Sequence, residues 1–385
     1  MNNDWQNGGF GIYVHWPFCE AKCPYCDFNS HVVRKIDQLR WLRAYLLEIE
    51  RYGEALSGRV VSSIFFGGGT PSLMEPEVVA GVIDKIKATW PVANDLEVTL
   101  EANPGSVEAG RFKAYRDAGV TRISMGVQAL NDDDLRRLGR IHTVAEAQAA
   151  FEIARKSFDK VSFDLIYARQ GQTPEAWRDE LKQALGLAVD HLSLYQLTIE
   201  QGTAFGDRYN AGKLRGLPDD DASAEMYEIT QDICGEAGLL AYEVSNHAQV
   251  GSECRHNEIY WRYGDYAGIG PGAHGRISLP NGRFATEGFM QPNAWLEAAE
   301  RGNGEKLREA LTNDDQATEF LLMGMRLSEG VSLDRFVSLS GRSLKADALT
   351  DLQELGMVTL EGERLKATQK GRFVLNSVLA RLLED

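Results

Sequence analysis

The sequence predicts an α/β protein: a partial (β/α)6, TIM-like barrel followed by a C-terminal helical, winged-helix-like unit. Three observations predict it. Short β-rich runs alternate with helical patterns through residues 1–205, which implies parallel βαβ units with right-handed crossovers. The strands carry Val, Ile and Phe on both faces, as a sheet covered by helices requires. The chemically unusual residues fall at or just past the C-terminal ends of strands, which is the functional rim of a β/α barrel. An open doubly wound sheet would place its site at a single switch point instead.

The elements follow in order. "GIYVHW" is a strand that leads straight into a cysteine cluster, and "IDQLRWLRAYLLEIERYGEAL" has helical periodicity. "VVSSIFF" ends at "GGGTP", and "PEVVAGVIDKIKATW" is the next helix. "LEVTLEANPG" and "RISMGVQAL" repeat the theme, each followed by a helical segment. "KVSFDLIYA" and "HLSLYQLTIE" complete six strands. Residues 206–300 change character and read as a segment covering the barrel. They hold a helix, "ASAEMYEITQDICGEAG", a short strand, "AYEVSN", and the Gly- and aromatic-rich "CRHNEIYWRYGDYAGIGPGAHG". The polar "RGNGEKLREALTNDD" reads as a linker. Residues 301–385 then give helices "ATEFLLMGMRL", "SLDRFVSLSG" and "LKADALTDLQELG", a hairpin "MVTLEGERLKAT" and a last helix, "GRFVLNSVLARLL". Helices followed by a small hairpin resemble a winged helix. The many acidic residues of this tail favour a packing lid or partner surface over DNA binding.

Composition narrows the function classes. A net charge of −15 over 385 residues argues against broad binding to nucleic acid or to an anionic membrane. No apolar run approaches the roughly 18 residues of a membrane span, so no stable membrane insertion is expected. "MNNDWQNGGFG" has neither the basic nor the apolar region of a secretory signal. Five cysteines, three of them clustered, do not make a disulfide framework, and a reducing cytoplasm is the expected compartment.

The cluster is "CEAKCPYC": Cys19, Cys23 and Cys26. Three readings are open. His31 could complete a Cys3His zinc site, which closes with four ligands. A disulfide could leave a spare thiol. Three thiolates also suit an iron–sulfur cluster in which one iron keeps an exchangeable position.

"CEAKCPYC" after a strand, with "GGGTP" at the end of the next, resembles the radical S-adenosylmethionine superfamily. The resemblance implies a 4Fe-4S cluster on Cys19, Cys23 and Cys26, with S-adenosylmethionine on the open iron and an electron donor to reduce it. The neighbours then acquire roles. The Tyr25 ring would lie against adenine. Gly67, Gly68 and Gly69 would let backbone approach the methionyl amine, with the Thr70 hydroxyl beside them. Glu101 would accept from the ribose hydroxyls. Tyr13 would face the cluster loop from the first strand. Taken singly, each also reads as a turn glycine, a surface carboxylate or a core tyrosine.

The resemblance covers nearly the whole chain. "GIYVHWPFC", "CPYCDFNSH", "FFGGGTPSL", "EANPG", "ISMGVQAL", "LGRIHT", "FDLIYARQGQT", "LSLYQLTIE", "HNEIYW" and "GIGPGAHG" resemble the oxygen-independent coproporphyrinogen III oxidase family, and within it the HemW-type heme chaperones. It implies heme as cargo and a heme-accepting protein as partner. By the same resemblance Gln128, Arg140 and Asp164 match positions that contact a second S-adenosylmethionine in the oxidases. Two departures point away from the oxidase. Phe28 stands where the oxidases carry a fourth cysteine, and only about a dozen residues precede Tyr13 where they have a longer extension. The proline usual before "GQT" is replaced by Gln170–Gly171. The "HNEIYW" signature is implicated in heme handling in the family. In a helix His256 and Tyr260 would share one face, and both side-chain types ligate heme iron. A structural role, with His256 hydrogen-bonded and Trp261 in the core, is the equal alternative. Cys254 and Cys234 read as buried core thiols.

Overall fold

The computed structural model describes residues 3–106, 109–187 and 190–384. In chain order it runs β1 (Phe10–Trp16), β2 (Phe18–Cys19), β3 (His31–Val32), α1 (Gln38–Ala55), β4 (Val61–Gly68), α2 (Pro76–Thr89), β5 (Val92–Ala102), α3 (Ala109–Asp117), β6 (Arg122–Gln128), α4 (Asp132–Arg137), α5 (Val144–Ser157), β7 (Lys160–Tyr167), α6 (Pro174–Leu187) and β8 (His191–Gln196). Next come α7 (Ala204–Asn210), α8 (Asp220–Glu236), β9 (Leu240–Ala241), β10 (Asn246–Ala248), α9 (Arg255–Trp261), β11 (Asp265–Ile269), β12 (His274–Leu279), β13 (Gly282–Gly288), α10 (Pro292–Glu300) and β14 (Glu305–Ala310). The tail holds α11 (Asn313–Gly324), β15 (Val331–Ser332), α12 (Leu333–Ser340), α13 (Ala346–Glu354), β16 (Val358–Glu361), β17 (Arg364–Ala367), α14 (Gln369–Phe373) and α15 (Leu375–Leu383).

The six expected strands pair in parallel in the order β1-β4-β5-β6-β7-β8. Their alternation sets two environments. Ile12, Val14 and Trp16 of β1, or Val98 and Leu100 of β5, pack outward under the helices. Tyr13 and His15, Phe65, Glu101 and Asp164 carry the opposite phase and face the interior of the curved sheet. The sheet does not close. It continues past β1 through β11, a seventh parallel strand, and then through antiparallel β12, β13 and β14; past β8 it adds antiparallel β10 and β9.

Three sequence expectations are corrected here. The polar linker contains β14, an edge strand on β13 whose mostly exposed side chains hide its ladder from hydropathy. "AYEVSN" is split between β9 and β10, because buried Glu243 turns the chain by accepting from Ser245 N–H and the Asn246 amide. The Gly-rich stretch hides β11, which glycines keep slim: a Cβ at Gly268 would stand 2.0 Å from the His274 carbonyl oxygen.

The tail has its own core of Phe320, Leu321, Phe336, Leu365 and Leu379, joined by Tyr263. Its sheet is β15-β17-β16, and the last helix breaks at Val374 into α14 and α15. Arg335 fixes this unit to the barrel through Asp4 at 2.8 Å and the Arg262 carbonyl at 2.7 Å. Among the described residues no helix is long and apolar enough to cross a membrane.

Candidate cluster and cofactor site

The cysteine loop opens at the C-terminal end of β1 and is stitched shut by β2 against β3, which pairs Phe18 with His31 and Cys19 with Val32. The five cysteines are all free thiols, and Cys19, Cys23 and Cys26 are half-buried. Thr70 Oγ1 lies 3.5 Å from Cys19 Sγ, and Arg140 Nη1 lies 3.3 Å from Cys23 Sγ. Burial pushes the Cys19 and Cys26 thiols above the ordinary thiol value. Spacing alone suggests ready thiolates; here an iron ion would have to displace the proton.

Among the described residues no three His, Cys, Asp or Glu side chains converge on one metal-sized point. His31, the candidate fourth zinc ligand, places Nε2 3.0 Å from Asn29 Oδ1. Three free, half-buried thiols on one loop are the donor set that an iron–sulfur cluster with one open iron takes.

The glycines do something the sequence did not reveal. Gly68 has φ +109°, and a Cβ there would meet the His15 ring at 2.6 Å; at Gly69 it would meet the Phe18 carbonyl oxygen at 2.6 Å. They let β4 and its loop close on β1, whatever else they admit. Gly67 shares the tight fit, its Cβ position lying 2.9 Å from the Tyr13 ring.

Glu101 ends β5 inside the rim. Burial, then the facing Asp164 carboxylate, push its pKa up to about 8 against an N–H from Gly68. Asp164 is raised to about 6, chiefly by burial, with Ser193, Ser124 and Arg140 opposing. Tyr195 beside them keeps 42% of its surface uncovered although protein surrounds it at depth, so the lumen is open there. Two carboxylates facing an open lumen suit a ligand that brings hydroxyl donors and a positive sulfonium. Gln128 holds φ 76° at a register shift between β6 and β7, a strained conformation of the kind that re-aims a side chain at a site.

Tyr25 lies against protein on part of its ring. Its ring sits 6.4 Å from Phe205 in a satellite apolar cluster, and it interacts with Cys23 and Arg140, so it braces the loop. Arg140 spans Cys23 Sγ and the Gly126 carbonyl, the latter at 2.8 Å. Tyr13 stands between the rim and the floor: its hydroxyl is 2.9 Å from His15 Nδ1, and its ring stacks on Phe65 and His256.

His256 and Tyr260 do share a face of α9, with Nε2 and the hydroxyl 2.8 Å apart. That face plugs the barrel floor. His256 is 1% exposed, its Nδ1 is 3.0 Å from Ser63 Oγ, and burial lowers its pKa to about 3. Both ring nitrogens are engaged. This is the geometry a structural role requires; iron ligation through Nε2 would require the bond to Tyr260 to break, while the bond to Ser63 could remain. Trp261 is only partly buried, with the Arg326 guanidinium 4.5 Å over its ring. Cys254 and Cys234 are buried, as expected.

Sequence reasoning missed His15 and Asn29. His15 shares the inward phase of Tyr13, a period-2 signal that could have found it, and its Nε2 is 2.9 Å from the Asn29 carbonyl oxygen. Asn29 carries no periodic signal; only the fold shows what its amide holds together.

The barrel with a three-cysteine loop at its rim defines a radical S-adenosylmethionine protein. Residues 13–184 match the radical SAM superfamily and residues 311–374 match the HemN C-terminal domain. The chain is 39% identical to heme chaperone HemW of Haemophilus influenzae, covering 97% of this chain and 98% of that one. It is 37% identical to HemW of Escherichia coli over 97% and 98% of the two chains, and 37% identical to bovine radical S-adenosyl methionine domain-containing protein 1, mitochondrial, over 97% and 87%. The fold matches the solved coproporphyrinogen III oxidase (HemN) of Escherichia coli with a TM-score of 0.81 at 22% identity, covering 99% of this chain and 93% of that one. The chain belongs to the HemW family of the radical SAM superfamily.

Proposed function

We propose that this chain is a heme chaperone, which binds heme and delivers it to an acceptor protein while carrying a 4Fe-4S cluster and S-adenosylmethionine. The observation that carries the reading is likeness to HemW proteins over nearly the full length, at 37–39% identity. Phe28 supports it: the side chain in place of the oxidases' fourth cysteine is apolar and 56% exposed beside the cluster loop.

Cys19, Cys23 and Cys26 would hold the cluster, which when bound supplies one electron to the cofactor. Thr70 and Arg140 would donate to the thiolate sulfurs and hold their negative charge. Glu101 would take the ribose hydroxyls, and Gly68 with Gly69 would bring backbone to the methionyl group. Gln128 and Asp164 would line the rest of the cofactor site; with Arg140 they are the candidates for a second S-adenosylmethionine. An electron donor and a heme acceptor are the expected protein partners, in a reducing cytoplasm, with no role for nucleic acid. The working division is barrel 1–205, covering segment 206–300 and C-terminal unit 301–385.

The rival reading is coproporphyrinogen III decarboxylation. Anaerobically reconstituted protein given reductant, S-adenosylmethionine and coproporphyrinogen is expected to form no protoporphyrinogen, and to bind hemin and pass it to an apo-acceptor. Robust turnover without heme transfer would restore the oxidase.

A further inference from the structure

The Asn29 side chain settles its own orientation. It donates from Nδ2 to the Pro271 and Met290 carbonyls, at 2.9 and 2.8 Å, so Oδ1 is its acceptor end. His31 Nε2 lies 3.0 Å from that oxygen and must therefore be the N–H. The tautomer follows: the lone pair is on Nδ1. An imidazole pinned by an N–H to an oxygen on one side, with a lone pair on the other, is the usual arrangement of a metal-ligating histidine. His256, by contrast, has both nitrogens in use.

The surroundings of His31 are apolar and uncovered. Phe28 is 56% exposed, Val33 44% and Met290 43%. Phe28 adjoins Asn29 in the chain, and Val33 lies two residues past His31, just beyond the end of β3. Met290 comes to the same place from the other side of the barrel mouth: a Cβ at Gly272 would stand 2.7 Å from Asn29 Nδ2 and 2.9 Å from Met290 Sδ. Positive charge borders the patch. Lys22 acts on the His31 ring, and Arg34 follows in the chain; both are exposed, and neither is in an ion pair among the described residues. The same stretch also carries Glu20 and Asp27, so the positive charge is that of these individual side chains and not of a net basic patch.

We propose that this face receives the heme, with His31 Nδ1 as an axial ligand to its iron. The proposal rests on the heme-chaperone reading and gives it a place. A flat apolar macrocycle would cover Phe28, Val33 and Met290, and Lys22 and Arg34 would meet its two carboxylates. Coordination uses a neutral nitrogen lone pair, so no proton is released and no redox step is needed. The face is open to solvent at the loop's outer side, which suits a cargo that must leave again.

The test is a hemin titration of the full, cluster-reconstituted chain, followed by Soret absorbance and by the spin state of the iron. Wild type is expected to bind with a histidine-ligated spectrum. His31→Ala should keep its iron–sulfur absorption, weaken hemin binding by about tenfold or more, and regain the histidine-type spectrum on addition of imidazole. Met290→Glu, which leaves the ligand untouched but charges the face, should also weaken binding. If wild type binds hemin and both variants match it in affinity and spectrum, this site is wrong while the chaperone reading stands. If wild type binds no hemin, both fall. Loss of the iron–sulfur absorption in His31→Ala would make His31 a cluster ligand and overturn the proposal.

Discussion

At the scale of single residues, Glu101 ties the rim's electrostatics to its ligand. Its carboxyl is raised to about 8 because burial and Asp164 both disfavour charge. Accepting ribose hydroxyls requires the ionised form. S-adenosylmethionine affinity is therefore expected to rise between pH 6.5 and pH 8.5 as Glu101 gives up its proton. Glu101→Ala should remove that rise and cost on the order of 1.5–3 kcal/mol per charge-assisted hydrogen bond lost, with the cluster absorption intact. Isothermal titration at the two pH values checks it; equal affinities for both proteins would take Glu101 out of the site. Cys19, Gly68, Thr70 and Glu101 are proposed from motif and strand position, each lying within two residues of a strand's end, whereas Cys23 and Cys26 come from the motif alone. What the sequence did not show for Tyr25 is its packing on the apolar cluster around Phe205, because that cluster is assembled from distant segments.

At the scale of elements, α9 shows why a signature can be visible while its role is not. The i, i+4 pairing of His256 with Tyr260 follows from helix geometry and is present at 2.8 Å. What the face packs on is tertiary: Ser63 and Phe65 from β4, Tyr13 from β1. The six parallel strands were legible because two-sided apolar runs have few other homes. β14 was not, because an exposed edge strand looks like loop, and β11 was masked by its glycines. The floor reading makes a distinct prediction for His256→Ala. Ser63 and Tyr260 would each lose a buried partner and the stack on Phe65 would open, costing about 2–4 kcal/mol of stability. Chemical denaturation should show that loss, and hemin bound to the folded fraction should keep its spectrum. A shifted Soret band with unchanged stability would return His256 to the iron.

At the scale of the whole molecule, the interior titrates in two opposed sets, and their balance sets a pH of greatest stability. Burial lowers His15 and His247 to about 4 and His256 to about 3. Below pH 6.5 the unfolded chain binds protons that these folded sites refuse, so stability falls as pH falls from 6.5 toward 4. The rim carboxylates act the other way. Glu101 at about 8 and Asp164 at about 6 hold protons in the folded chain that the unfolded chain has released, so stability falls as pH rises from their ordinary values toward 8. Above pH 6.5 the histidines are neutral in both states and only Glu101 still changes appreciably. Between 6.5 and 4 at least three histidines oppose two carboxylates. Thermal unfolding of the chain without cluster or S-adenosylmethionine should therefore peak near pH 6.5 and decline on both sides. Glu101→Gln, which cannot ionise, should raise the midpoint strongly at pH 8 and much less at pH 5, which has only just passed the ordinary 4.5 at which the unfolded chain's Glu101 gives up its proton. Scanning calorimetry of both proteins across pH 5–8.5 decides it: a wild-type midpoint that keeps climbing to pH 8, or a variant no more stable there, would show that the rim carboxylates are not strained by burial.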